Sequence, residues 1–204
     1  MLEVKDATIA IGGKVLVEGL SFIAKDGELT CLTGSEGSGK TTFIRTLMGF
    51  VPVAKGFVSV DGELLTVRSA HAFRQMMVYL PQQMQMLAHQ LRAPEAPVCE
   101  AEEYSVWNAV LPSVEPEHEP EPLAAEDICL LAERTVRETA ERRIIIADEP
   151  AAHLSPELTL RMIALLKEQA AQGKTVLIAS RRPQVVAQAS QVIDLDQIRK
   201  WIQD

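Results

Sequence analysis

One glycine-rich octapeptide constrains the fold of this chain more than any other feature. Residues 34 to 41 read GSEGSGKT and match the pattern G-x-x-x-x-G-K-[ST]. The apolar stretch Glu28–Leu32 before them predicts a strand, and Phe43, Ile44 and Leu47 after them fall at helical spacing. Glycines allow such a turn to point successive backbone N–H groups at phosphate oxygens. The order of strand, loop and helix therefore predicts a phosphate-binding loop.

The loop also supplies candidate ligands for a nucleotide and its metal ion. Lys40 is expected between the terminal phosphates, at the positive end of the following helix, and the Thr41 hydroxyl is expected to complete a Mg²⁺ shell of water and phosphate oxygens. Glu36 adds a negative side chain, which is a mild electrostatic cost unless it points outward. The predicted phosphate-binding residues are Gly34, Ser35, Glu36, Gly37, Ser38, Gly39, Lys40, Thr41 and Thr42.

A second motif lies about 110 residues further along the chain. The apolar run Ile144–Ala147 predicts a buried strand of a parallel sheet, and it ends in Asp148 and Glu149. Asp148 is placed to reach Mg²⁺ through water, and Glu149 to orient or deprotonate an attacking water. An apolar strand ending in two carboxylates is common, and it gains weight here only because a phosphate loop accompanies it.

The rest of the 204 residues fits a single α/β domain. Leu2–Ala7 and Val15–Ala24 predict strands, and after residue 28 strands and helices alternate, which indicates a mainly parallel sheet. A helix is predicted over Ile128–Ala140 and another over Glu102–Leu111. No apolar run is long enough for a transmembrane helix, and no secretory signal is expected. The net charge of −8 argues against binding of bulk nucleic acid.

Together these segments resemble the nucleotide-binding subunit of an ATP-binding-cassette (ABC) transporter over nearly the whole chain. Besides the two motifs, the resemblance rests on Gly13–Phe22, on Asp26–Glu28 and on Tyr79–Gln82, which resembles the family's Q-loop. It implies a P-loop NTPase of the ABC type, with a parallel core sheet, an antiparallel β-flank and a shortened helical subdomain over 83–142. It also implies that Gln82 bridges the metal to that subdomain and that Glu149 is the catalytic base.

The resemblance implies cofactors, partners and a location as well. The cofactors are ATP and Mg²⁺, with Thr41, Gln82 and Asp148 at the metal. The partners are membrane permease subunits on separate chains and a second cassette in a homo- or heterodimer, in which each phosphate loop faces the other subunit's signature sequence. The expected location is the cytoplasmic face of the membrane, where the chain is peripheral.

The sequence departs from the family at three functional positions. Ile11 replaces the aromatic residue that stacks on adenine, so apolar contact remains without a ring. The signature Leu-Ser-Gly-Gly-Gln is replaced, about one residue out of register, by Leu123-Ala124-Ala125-Glu126-Asp127. Its two carboxylates repel a triphosphate. Arg181 stands where a His normally contacts the γ-phosphate, and it is either a fixed cation for phosphate or a solvated residue at a strand end.

Two functions remain open at this point. The first is an energy-coupling ATPase subunit of a transporter. The second is a weakly hydrolysing or non-hydrolysing half of a heterodimer, whose partner supplies the intact signature. A soluble cassette protein of translation or DNA repair is disfavoured, because such chains usually carry two cassettes or a long coiled coil.

The negative charge is concentrated in one segment, Pro94–Asp127, which holds ten acidic residues and no Lys or Arg. Without these ten charges the net charge of −8 becomes about +2 for the rest of the chain. Six of the eleven prolines lie in the same segment and disfavour a long helix there. It is either a solvated loop or a docking surface for a basic loop of the membrane partner.

Overall fold

The computed structural model describes residues 1–84 and 124–200. Within these two ranges the chain forms nine strands and six helices. The strands are β1 Leu2–Ile11, β2 Lys14–Ala24, β3 Leu29–Thr33, β4 Lys55–Val60, β5 Glu63–Leu64, β6 Met77–Leu80, β7 Ile144–Asp148, β8 Thr175–Ala179 and β9 Gln191–Asp194. The helices are α1 Lys40–Leu47, α2 Ala70–Gln75, α3 Ala125–Glu138, α4 Pro156–Ala171, α5 Pro183–Val186 and α6 Leu195–Lys200.

A five-stranded parallel sheet forms the centre of the molecule, in the order β6-β7-β8-β3-β9. Every residue of β7 and β8 is buried, as the uninterrupted apolar run Ile144–Ala147 predicts for a strand covered on both faces. Because the strands are parallel, their carboxyl ends share one edge of the sheet. The loop after β3, the acidic end of β7 and the end of β8 therefore meet at that edge.

A second sheet is antiparallel and has the order β2-β1-β4-β5. It forms the β-flank that the resemblance implies. Gly56 allows the close approach of β4 to β1, since a Cβ at this position would lie 2.3 Å from the carbonyl oxygens of Lys5 and Asp6. The predicted combination of a parallel core and an antiparallel flank is confirmed.

The alternation of side chains in β7 divides the core into two layers. Ile144 and Ile146 face α1 and the antiparallel sheet, where Phe43 packs against Phe22 with ring centroids 5.8 Å apart. Ile145 and Ala147 face the other side, where α3 and α4 cover the sheet. Both layers fix α1 and β7 firmly, and these two elements carry the phosphate loop and the two carboxylates.

Helix α4 begins after Ser155, which is its N-cap and whose hydroxyl accepts a hydrogen bond from the backbone N–H of Leu158. Helix α3 begins at Ala125, three residues before the predicted Ile128. Glu126 and Asp127 lie in its first turn, where the helix dipole favours negative charge although neither residue belongs to the apolar stripe. No helix within 1–84 or 124–200 has the length and apolar character needed to span a membrane.

Some predictions concern residues that the structure does not describe. The predicted helix over Glu102–Leu111, most of the acidic segment and Leu123 lie outside the described residues. The single domain over 1–204 and the extent of its helical subdomain stay predictions.

Candidate active site

The loop between β3 and α1 has the backbone that its glycines predict. Gly34, Gly37 and Gly39 all have positive φ values, of 145°, 73° and 102°. A Cβ on Gly34 would lie 2.8 Å from the Ser38 hydroxyl oxygen, so a larger residue would displace the opposite side of the turn. Helix α1 starts at Lys40, directly after Gly39. The backbone N–H groups at the start of this helix are therefore available at the phosphate loop.

The Lys40 side chain lies inside the curl of this loop and is 7% exposed. Its ammonium donates hydrogen bonds to the carbonyl oxygens of Gly34 and Ser35 at 2.8 and 2.9 Å and to the Ser38 hydroxyl at 3.4 Å. Burial lowers the pKa of Lys40 below its ordinary value, while nearby carboxylates, Glu149 first among them, oppose that shift. The loop thus holds a cation at its centre.

Asp148 ends β7 beside the first turn of α1. Asp148 is 1% exposed, and its Oδ1 atom makes no hydrogen bond with the described residues. Burial raises the pKa of Asp148, and the nearby Thr41 hydroxyl counteracts this. A buried oxygen without a donor is costly, and a hard cation satisfies such an oxygen. The pairing of a carboxylate with a hydroxyl at this position therefore fits the predicted Mg²⁺ ligands.

Glu149 follows with a strained backbone, at φ 46°. Its carboxylate is buried, and Arg181, two residues after the end of β8, contacts it twice. The Arg181 backbone N–H donates to Oε2 at 3.4 Å, and the Arg181 Nε lies 3.4 Å from Oε1. The second contact is an ion pair without hydrogen-bond geometry, because Oε1 makes no hydrogen bond within the described ranges. Glu149 therefore keeps an oxygen available for another donor.

Several of these groups line a cleft of about 330 Å³ above the sheet edge, which we call the phosphate-loop cleft. Its floor is formed by the predicted loop residues Glu36, Gly37, Gly39, Lys40, Thr41 and Thr42. The other lining residues include Gln82, Glu149 and Arg181, which lie in the segments that follow β6, β7 and β8. The structure thus brings together predicted residues from both motifs and from the resemblance, while Gly34, Ser35, Ser38 and Asp148 are not among the residues that line the cleft.

The apolar wall of the cleft is formed by Leu16 of β2, which the sequence reading did not single out. Its Cβ lies 3.5 Å from the position of a Cβ built on Gly39. Ile11, the predicted adenine contact, lies at the end of β1, is 50% exposed and is not among the residues lining this cleft. Both Leu16 and its neighbour Val17 approach Gly39, a contact between separate elements that has no local signal in the sequence.

Two long-range contacts of the phosphate loop and its surroundings are not predicted by the sequence. Arg182 donates to the carbonyl oxygens of Ala151 and Leu154 and to the Thr159 hydroxyl. Asp196 accepts hydrogen bonds from Ser35. Neither contact has a local sequence signal, because the partners are brought together by the order of the strands.

A wider groove, of about 510 Å³, lies between α3 and α4. It contains the Glu133–Arg161 ion pair and none of the predicted site residues. Within 1–84 and 124–200 no group of three or more His, Cys, Asp or Glu side chains is arranged to hold a metal ion. The chemistry of the described chain is therefore concentrated at the phosphate-loop cleft.

Comparisons with known proteins find matches over most of the chain. Residues 17–152 match a family model described as ABC transporter. An uncharacterized ABC transporter ATP-binding protein of Haemophilus influenzae is 23% identical over 203 residues, which cover 92% of this chain and 76% of that protein. The hemin import ATP-binding protein HmuV of Methylobacillus flagellatus is 27% identical over 202 residues, covering 88% of this chain and 73% of that protein.

A solved structure shares the fold. It is a dimeric ATP-binding cassette in a post-hydrolysis state with bound ADP and Pi, and it superposes with a TM-score of 0.66 at 19% identity, over 95% of this chain and 94% of that chain. At this level of identity the match concerns the arrangement of strands and helices.

Proposed function

Because the chain belongs to the ABC transporter family, as one of its ATP-binding subunits, we propose that it binds Mg-ATP in the phosphate-loop cleft and couples ATP hydrolysis to movement of membrane permease chains. The observation that carries this proposal is the meeting of Lys40 and Thr41 with the buried, unpartnered Oδ1 of Asp148 and with Glu149. Lys40, Thr41 and Glu149 line one cleft, and Asp148 ends the strand that leads into it.

Binding of the phosphates follows from the loop. The N–H groups at the start of α1 and the Lys40 ammonium provide positive potential in a partly dry site. Lys40 already makes three hydrogen bonds within the loop, so its ammonium exchanges carbonyl partners for phosphate oxygens when nucleotide enters. The new bonds are charge-assisted and stronger than those they replace.

Thr41, Asp148 and Gln82 would hold the metal ion. A bound Mg²⁺ would neutralise negative charge on the phosphate oxygens. A cation would satisfy the buried Oδ1 of Asp148, which accepts no hydrogen bond from residues 1–84 or 124–200. The Thr41 hydroxyl lies close to this carboxylate and helps to hold its pKa down.

Glu149 is the proposed catalytic base. Its carboxylate lines the cleft together with Lys40 and Thr41, and its Oε1 accepts no hydrogen bond from the described part of the chain. That oxygen can accept the proton of a water molecule held in the cleft. Arg181, 3.4 Å from the same oxygen, provides positive charge for the phosphoryl group.

The proposed partners are permease subunits on separate chains and a second cassette. The similarity to a dimeric cassette supports the second cassette, and the names of the relatives support the first. The proposed location is the cytoplasmic face of the membrane that holds the permease.

The test is Mg-dependent ATP binding and hydrolysis by the purified full chain. Lys40→Ala should weaken ATP binding at least tenfold, while Glu149→Gln should leave ATP binding intact and abolish turnover. Lys55→Ala on β4 and Glu63→Gln on β5 remove exposed charges away from the cleft and should change neither property. Wild-type protein that binds no ATP would contradict the proposal.

One observation favours the heterodimer half as a second candidate. The first turn of α3 carries Glu126 and Asp127, and its N-cap is Ala124, which offers no side-chain hydrogen bond. The two carboxylates compensate the helix dipole and oppose the approach of a partner's triphosphate. This signature region therefore favours a partner cassette with an intact signature over a second copy of this chain.

The two candidates differ in the behaviour of the isolated chain. If it is a heterodimer half, wild-type protein stays monomeric with ATP, and the Glu149→Gln variant, which retains ATP, does so as well. Neutralising the helix start in the Glu149→Gln background, with Glu126→Gln and Asp127→Asn, should then increase ATP-dependent dimerisation measured by light scattering. ATP-dependent dimerisation of the Glu149→Gln protein without these changes would favour the homodimer.

A further inference from the structure

Arg181 contacts two carboxylates that belong to different parts of the phosphate-loop cleft. Its Nε lies 3.4 Å from Glu149 Oε1, and one of its terminal nitrogens donates to Glu36 Oε2 at 3.2 Å. Glu36 belongs to the phosphate loop and Arg181 follows β8, 145 positions later in the chain. The three side chains form a bridge from the loop to the acidic end of β7, across the cleft.

The two ends of this bridge differ in their surroundings. The Glu149 side chain is 9% exposed, whereas the Glu36 side chain is 89% exposed. An ion pair with a solvated carboxylate is weak and is screened by salt. The Glu36 end of the bridge is therefore the end that a competing anion displaces.

The anion that reaches this position is the terminal phosphate of a triphosphate. This step rests on the proposed function, in which Glu149 activates the water that attacks the γ-phosphate. Because Arg181 lies 3.4 Å from Glu149, its guanidinium lies at the same end of the polyphosphate. A diphosphate held by Lys40 and the start of α1 lacks the group that would reach it.

We propose that Glu36 is a specificity-determining residue, which competes with the terminal phosphate for the Arg181 guanidinium and so limits the preference of the site for nucleoside triphosphates over diphosphates. A triphosphate replaces the Glu36 carboxylate with a more highly charged partner that binds the planar guanidinium better. A diphosphate leaves the Glu36–Arg181 ion pair in place and gains nothing from Arg181. Preference is a difference between two affinities, and the bridge contributes to only one of them.

Removal of either end of the ion pair gives opposite results. Without the Glu36 carboxylate, Arg181 is not engaged at that end, and the triphosphate gains affinity. Without the Arg181 guanidinium, the triphosphate loses its ligand, and the Glu36 carboxylate no longer has a cation to compete for. This opposition separates the bridge from a plain repulsion between Glu36 and phosphate.

The experiment measures dissociation constants of the full chain for a non-hydrolysable ATP analogue and for ADP, with Mg²⁺, by isothermal titration calorimetry. Glu36→Gln should tighten binding of the triphosphate analogue about threefold, the size expected for one exposed ion pair. Arg181→Gln should weaken it about tenfold, as for loss of a charged phosphate ligand. Both variants should bind ADP with less than a twofold change. Glu63→Gln and Arg68→Gln are the exposed controls for the loss of each charge.

The double variant decides between the mechanisms. In the Arg181→Gln background, Glu36→Gln should no longer change the ratio of the two affinities. The same factor in both backgrounds, or an equal gain for ADP, would show that Glu36 acts by direct repulsion and would overturn the proposal. Wild-type protein that binds both nucleotides equally would overturn it and leave the proposed function standing, whereas wild-type protein that binds neither nucleotide would overturn both.

Discussion

Asp196 accepts two hydrogen bonds from Ser35, one from the backbone N–H at 2.6 Å and one from the hydroxyl at 2.9 Å. The contact spans 161 positions and exists because β9, which leads into α6, pairs in parallel with β3, which leads into the phosphate loop. The helix after the edge strand thereby holds the first residues of the loop.

Loss of this contact should destabilise the fold. Asp196→Ala removes two charge-assisted hydrogen bonds at a partly exposed site, so we expect the free energy of unfolding to fall by about 1–2 kcal/mol. Urea denaturation measures it. Ser35→Ala, which loses only the hydroxyl bond, should cost less than Asp196→Ala, and the double variant should cost less than the sum of the two single changes. Fully additive losses would contradict a direct contact.

Arg182 fixes the segment after the acidic motif. One of its terminal nitrogens lies 2.5 Å from the Ala151 carbonyl oxygen, 2.8 Å from that of Leu154 and 2.7 Å from the Thr159 hydroxyl. A lysine side chain has one bond fewer between Cα and its terminal nitrogen, so its ammonium falls short of the three acceptors that contact the terminal nitrogen of Arg182. We therefore expect Arg182→Lys to lower the free energy of unfolding by about 2 kcal/mol. The matched change Arg68→Lys, at an exposed position, should stay within about 0.5 kcal/mol in the same urea titration. Equal effects of the two changes would contradict the assigned role.

The two motifs and the fold class follow from the sequence because their signals are local. Phosphate binding needs glycines at fixed spacing within one loop, and the unbroken apolar run of β7 predicts that this strand is buried. The contact of Arg181 with Glu36 and the contact of Ser35 with Asp196 carry no such signal, because they join residues 145 and 161 positions apart. Parallel strand order decides which loop ends meet, and an ordinary exposed Glu at position 36 does not reveal that it will face a guanidinium.

The start of α3 shows a different limit of prediction from apolar periodicity. Apolar periodicity begins at Ile128, but the helix begins at Ala125, because the first turn of a helix is stabilised by charge as well as by burial. Acidic residues before an apolar stripe are thus compatible with either a loop or a helical turn. This ambiguity affects the residues that correspond to the family's signature.

Glu149 combines function with backbone strain. Its φ of 46° is unfavourable for a residue with a Cβ, by about 1 kcal/mol. Glu149→Gly and Glu149→Ala both remove the carboxylate, and only glycine relieves the strain. We therefore expect the free energy of unfolding, measured by urea denaturation, to be about 1 kcal/mol higher for the glycine variant than for the alanine variant. Neither variant should hydrolyse ATP. An alanine variant as stable as the glycine variant would argue against strain at this position.

Burial of the Cys31 thiol should make the free energy of unfolding fall at alkaline pH. It is fully buried in β3, and burial raises the pKa of its thiol to about 12, with Glu149 adding to the shift. In the unfolded chain the thiol ionises near pH 9, so between pH 9 and 12 the unfolded state releases a proton that the folded state keeps. The stabilisation is complete below pH 9 and is lost as the pH rises, by about 1.4 kcal/mol at pH 10. Cys31→Ala lacks this group, and its other titrating residues are the same. The difference in unfolding free energy between wild type and Cys31→Ala should therefore shrink by about 1.4 kcal/mol between pH 8 and pH 10, and parallel pH profiles would disprove the assignment.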